Sequence, residues 1–122
     1  MSDPSYVLLY VKSPSASVRF YTDILGKNPV EDSPTFALFV LDSGVKLGLW
    51  KADTVEPAAT SVGGSEIAFA VDGEEAVRAQ HRLWKTKGLS MVQAPTPMDF
   101  GYTFVALDPD GHRLRVFAPA VP

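Results

Sequence analysis

Apolar and polar positions alternate at the start of the chain. In residues 6–12, Val7, Leu9 and Val11 point one way and Tyr6, Leu8, Tyr10 and Lys12 the other, the two-residue period of a strand. Ser13 and Pro14 then read as the N-cap and first position of a helix. Ala16, Phe20, Tyr21 and Ile24 fall near one face of it, and Gly26 ends it. A short edge strand is expected over 28–31, a longer strand over 35–41, a turn at Asp42-Ser43-Gly44 and a returning strand over 45–51. Residues 52–64 lose all periodicity and read as a linker.

The second half repeats this order. A strand over 66–72 puts Ile67, Phe69 and Val71 on one face. Asp72 or Gly73 then caps a helix with Glu74 and Glu75 in its first turn and Ala76, Val77, Gln80, Leu83 and Trp84 along one stripe. Gly88 ends this helix as Gly26 ends the first. A short strand over 90–93, a loop over 95–102, a strand over 102–107, a turn at 108–111 and a closing strand over 112–117 complete the chain. Placing Gly44 on Gly111 matches Lys46 with Arg113, Gly48 with Arg115 and Trp50 with Phe117, with the second turn one residue longer. The fold class is therefore α+β. One domain of 122 residues is expected, made of two strand-helix-three-strand modules over about 6–51 and 65–119. Helices on one face of each sheet leave the other faces free to line a curved, open trough.

Composition narrows the function. The net charge of −3, with scattered basic residues, argues against a nucleic-acid surface. No cysteine is present, so neither a disulfide framework nor thiolate chemistry is available. No apolar run is long enough to span a bilayer, and the first residues lack the basic and apolar regions of a signal peptide; a cytoplasmic protein with no membrane partner is expected.

Three motifs carry a resemblance: Tyr10-Val11-x-Ser13-Pro14, Phe20-Tyr21-x-x-Ile24-Leu25-Gly26 and Leu107-Asp108-Pro109-Asp110-Gly111-His112-x-Leu114-x-Val116. Together they resemble the vicinal oxygen chelate superfamily of glyoxalases, extradiol dioxygenases and bleomycin-resistance proteins. The resemblance implies paired modules around a concave sheet, and a homodimer that in some members exchanges modules. It also implies four metal-ligand positions, which here hold Tyr6, Gly48, Glu66 and Arg115. Glu66 alone is an ordinary ligand type. Gly48 has no side chain, Tyr6 suits a divalent ion poorly and Arg115 is a fixed cation. No metal and no other cofactor is therefore expected, and no catalytic residue is assigned.

What remains resembles the metal-free branch that sequesters planar aromatic antibiotics, phenazine-resistance proteins among them. The expected partner is thus a planar aromatic small molecule. The expected ligand contacts are Trp50, beside open space at Gly48, with Phe36, Tyr6, Met98, Phe100, Tyr102, Glu66, Arg115 and Phe117. Glu66 and Arg115 read either as an ion pair across the module junction or as polar contacts to the ligand. Two enzymatic alternatives stay open: a metal-dependent glyoxalase or dioxygenase, and a metal-free lyase or isomerase using Glu66 as base with Arg115.

Overall fold

Ser13 begins the first helix as its sequence requires. In the computed structural model, which describes residues 1–120, Ser13 Oγ accepts a hydrogen bond from the Ala16 N–H and Pro14 takes the first helical position. Helix α1 (Pro14–Leu25) ends at Gly26, whose φ of 68° only glycine adopts readily. The face it buries holds Pro14, Ser17 and Tyr21, while Ala16, Phe20 and Ile24 are half-buried. The small Ser17 thus takes a core position that hydrophobicity alone assigns to its neighbours.

The structure has two compact units, divided between Ser61 and Val62. In the first, strands β1 (Tyr6–Val11), β2 (Glu31–Asp32), β3 (Phe36–Val40) and β4 (Lys46–Lys51) form a sheet in the order β1-β4-β3-β2. Strands β1 and β4 run parallel and the other pairs antiparallel. Leu9, Val11, Ala37, Phe39, Leu47 and Leu49 are buried on one face of it, and Tyr21 of α1 is buried with them. The edge strand lies later than residues 28–31, because only Glu31 and Asp32 find ladder partners on β3. Residues 52–64 contain one short 3₁₀ turn at Ala52–Thr54 and no strand.

In the second unit, strands β5 (Glu66–Ala70), β6 (Ser90–Met98), β7 (Gly101–Leu107) and β8 (Arg113–Pro119) form a sheet in the order β5-β8-β7-β6. Helix α2 (Glu74–Thr86) packs on one face of it through Trp84, whose ring meets Phe69 at 5.7 Å and Phe104 at 5.6 Å. Gly73 provides its N-cap without a side-chain bond. Leu83 departs from expectation: it is 49% exposed, and Val77 and Trp84 form the buried stripe.

The largest departure is the loop expected over 95–102. Strand β6 runs on to Met98, and the chain reverses at Asp99 and Phe100. Pro95 and Pro97 are tolerated because β6 is the sheet edge, where a missing N–H leaves no ladder bond unmade. Register shifts between Met91 and Gln93 and between Gln93 and Thr96 take up the irregularity. Gly101 allows the return: a Cβ there would stand 2.0 Å from the Ala118 carbonyl oxygen.

The repeated hairpins agree more closely than their sequences suggest. The Gly44 N–H donates to Leu41 O and the Gly111 N–H to Asp108 O, with φ of 91° and 90°. The hairpins close through Leu41 N to Val45 O and Asp108 N to His112 O. The two turns are therefore equal in length, and the second is not one residue longer. Among the described residues, no helix is long and apolar enough to cross a membrane.

Candidate ligand-binding faces

In the first unit, the sheet face opposite α1 carries Tyr6, Leu8 and Tyr10 from β1, Lys46, Gly48 and Trp50 from β4, and Phe36, Leu38 and Val40 from β3. Direct cross-strand pairing fixes this set: Leu8 lies beside Gly48, Tyr10 beside Trp50, and Phe36 beside Trp50. Tyr6, Leu8 and Tyr10 are 55%, 45% and 39% exposed, a run of large apolar side chains facing solvent. The Tyr10 and Trp50 rings meet edge to face at 6.0 Å, and the Lys46 ammonium lies 5.1 Å from the Tyr6 ring centroid. The sequence-derived contacts Tyr6, Phe36, Gly48 and Trp50 thus share one surface, to which Leu8 and Tyr10 belong.

The space at Gly48 is not open. A Cβ there would lie 2.6 Å from Leu8 Cδ2 and 3.0 Å from Phe36 Cζ. Leu8 and Phe36 lie over the glycine, and together they form an apolar floor. The glycine is needed for close approach, and any larger side chain must displace both neighbours.

In the second unit, Arg115 organises the free face. Its Nε and Nη2 donate to the two oxygens of Glu66 at 2.5 and 3.4 Å, and its Nη1 donates to Thr103 Oγ1 at 3.1 Å and Gln93 Oε1 at 3.3 Å. Its guanidinium lies 5.5 Å from the Phe100 ring centroid, and Phe100 meets Phe117 at 6.0 Å. The Glu66–Arg115 ion pair therefore lies within one unit, on strands β5 and β8, rather than across the module junction. Met98 joins this surface through Gln93, whose Nε2 lies 3.5 Å from its sulfur.

Tyr102 does not join it. Its register beside Ala118 gives it the parity of Phe104, on the face that carries α2. The Arg78 guanidinium of α2 lies 5.6 Å from its ring centroid. There Tyr102 lines a separate cleft of about 380 Å3 with Gly73, Glu74, Pro97 and Pro119. The sequence could not give this parity once 95–102 was read as a loop. Gln93 and Thr103 were missed as partners of Arg115; the one signal was a threonine within the apolar run of β7.

Neither histidine reaches these faces as a ligand. His81 packs its ring 5.2 Å from Phe104, and burial, followed by the charges of Lys85 and Arg82, holds its pKa below the usual value. His112 is bound to Asp108 in the hairpin, Nδ1 to Oδ2 at 2.8 Å. Among the described residues, no three His, Cys, Asp or Glu side chains cluster as a metal site. Of the four positions that the resemblance would assign to metal ligands, Gly48 is covered by Leu8 and Phe36, and Arg115 holds both oxygens of Glu66.

Arg115→Met is expected to lower stability by about 1–2 kcal/mol, because it strips a half-buried carboxylate of its partner. Urea unfolding of this variant, Glu66→Gln and the double variant measures the coupling. A double-variant loss well below the sum of the single losses is expected.

Comparison with known proteins agrees with this architecture. The family model of the Glyoxalase/Bleomycin resistance protein/Dioxygenase superfamily matches residues 4–116. The phenazine antibiotic resistance protein EhpR of Enterobacter agglomerans is 31% identical over 116 residues, which cover 93% of this chain and 89% of that protein. The solution NMR structure of protein ATC0852 from Agrobacterium tumefaciens is 52% identical and matches with a TM-score of 0.92, covering 99% of this chain and all of that one. A glyoxalase/bleomycin resistance protein/dioxygenase family enzyme from Burkholderia phytofirmans is 26% identical with a TM-score of 0.82, covering 98% of this chain and all of that one.

Proposed function

Because this chain belongs to the Glyoxalase/Bleomycin resistance protein/Dioxygenase superfamily, we propose that it is a metal-independent binding protein that sequesters a planar aromatic natural product, and so confers resistance to it. One observation carries the reading. The free face of the first sheet exposes Tyr6, Leu8 and Tyr10 beside Trp50, with apolar side chains closed over the glycine between them. Such a surface gains by covering itself with a flat apolar molecule, and its rings offer both faces and edges to an aromatic partner. The similarity to a phenazine antibiotic resistance protein supports the choice of ligand class. Arg115 occupies both oxygens of Glu66, which argues against a reading in which Glu66 acts as a free base. A protein acting in this way works in the cytoplasm, as a homodimer, and leaves its ligand chemically unchanged.

The test is titration of the purified protein, freed of metal by chelator, with phenazine, followed by recovery of the ligand. Saturable binding without added metal and full recovery of intact phenazine are expected. Binding only after a divalent ion is restored, or conversion of the ligand, would overturn the proposal. Light scattering with and without ligand tests the dimer.

A further inference from the structure

Resting on that reading, we propose that the ligand is a planar aromatic acid, whose anionic group meets Lys46 while its rings lie along the first sheet towards Trp50. Lys46 and Trp50 stand on the same face of β4, four residues and so about 13 Å apart along the strand. Between them lies the floor made by Gly48, Leu8 and Phe36, where hydrocarbon closes over backbone. The Trp50 end is aromatic, with Tyr10 set against its ring. The Lys46 end is cationic. A fused three-ring system bearing a carboxylate at one end fits within this span.

The charge at Lys46 is available. Its ammonium rests on the Tyr6 ring, and among the described residues no carboxylate pairs with it. By contrast Lys27 and Lys51 of the same unit are paired with Asp42 and Asp53. Among the described strand residues, the carboxylate on this face is Glu31 of β2, opposite Leu38 of β3 and level with Gly48, two strands and about 10 Å from β4. It disfavours an anion near the β2 edge, and Lys46 supplies on β4 a cation that stabilises one. Arg115, the other candidate for a ligand carboxylate, already has Glu66, Gln93 and Thr103 as acceptors. Lysine suits this role because an ammonium on a flexible stem can turn from the Tyr6 ring to an incoming oxygen.

Calorimetric titration of the wild type, Lys46→Gln and Lys46→Arg with phenazine-1-carboxylate and with unsubstituted phenazine tests this. The wild type is expected to bind the acid at least about tenfold more tightly than the neutral ring. Lys46→Gln should remove that advantage by weakening the acid far more than phenazine, Lys46→Arg should keep most of it, and added salt should weaken chiefly the acid. Equal affinity of the wild type for both compounds, or an equal loss for both in Lys46→Gln, overturns the inference and leaves the binding function standing. Failure of the folded wild type to bind either compound overturns both.

Discussion

Asp108→Ala is expected to lower the unfolding free energy by about 3 kcal/mol and the Tm by about 10 °C. The side chain of Asp108 has no exposure to solvent. Its Oδ1 accepts the N–H groups of Asp110 and His112 at 2.9 and 2.8 Å, and its Oδ2 meets the His112 ring. Three hydrogen bonds to one buried carboxylate hold the hairpin that delivers β8, so truncation leaves two backbone donors and an imidazole without their acceptor. Asp108→Asn keeps an acceptor for the backbone and should lose about half as much.

The loss should depend on pH. Hydrogen bonding to Asp108, reinforced by the Asp108 and Asp110 charges and opposed by burial, raises the His112 pKa above its ordinary 6.5. A raised folded pKa means that the folded state holds its proton more tightly than the unfolded chain. The stabilisation is therefore fully present below the unfolded value and is lost as pH rises through the folded one. Wild type and Asp108→Asn should differ most below about pH 6 and converge as His112 deprotonates. Urea unfolding from pH 5 to 9 reads this directly, and a difference that grows with pH would contradict the assignment.

Trp50→Ala is expected to weaken phenazine binding by about thirtyfold, or about 2 kcal/mol, with little effect on stability. Trp50 is half-buried, and its side chain closes one end of the exposed aromatic face. Truncation removes the largest ring on that face and leaves Tyr10 without its edge contact. The chain has only one other tryptophan, Trp84, which is 3% exposed between Phe69 and Phe104 under α2. Ligand quenching should therefore persist in Trp84→Phe and largely vanish in Trp50→Phe, while calorimetry still detects binding to Trp50→Phe. Wild-type affinity in Trp50→Ala would place the ligand elsewhere.

Much of this site was legible because of the repeat. Gly44 and Gly111 take the same left-handed conformation at the same point of their turns, so aligning them aligned β4 with β8. That alignment put Gly48 and Arg115 at equivalent positions of their sheets, each beside the third residue of the first strand. It failed where local rules met a tertiary exception. Two prolines signal a loop in most settings, but on the edge strand β6 they cost no ladder bond, and Tyr102 changed faces as a result. The space at Gly48 was misread for a related reason. An absent side chain reveals room, while the side chains that fill it come from β1 and β3, far away in sequence. Two partners of Arg115 were hidden in the same way, since Gln93 lies 22 residues from it and Thr103 lies 12.

The prolines of β6 bear on how the molecule behaves in a crowded solution. An edge strand with a full row of free N–H and C=O groups can recruit a strand from another chain and seed aggregates. Pro95 and Pro97 delete two donors from that row, and the register shifts beside them bend it. The outer margin of the second sheet is thereby a poor template for further strands. Accumulating to the level that the proposed stoichiometric capture of a ligand would demand then carries less risk of self-association along this edge.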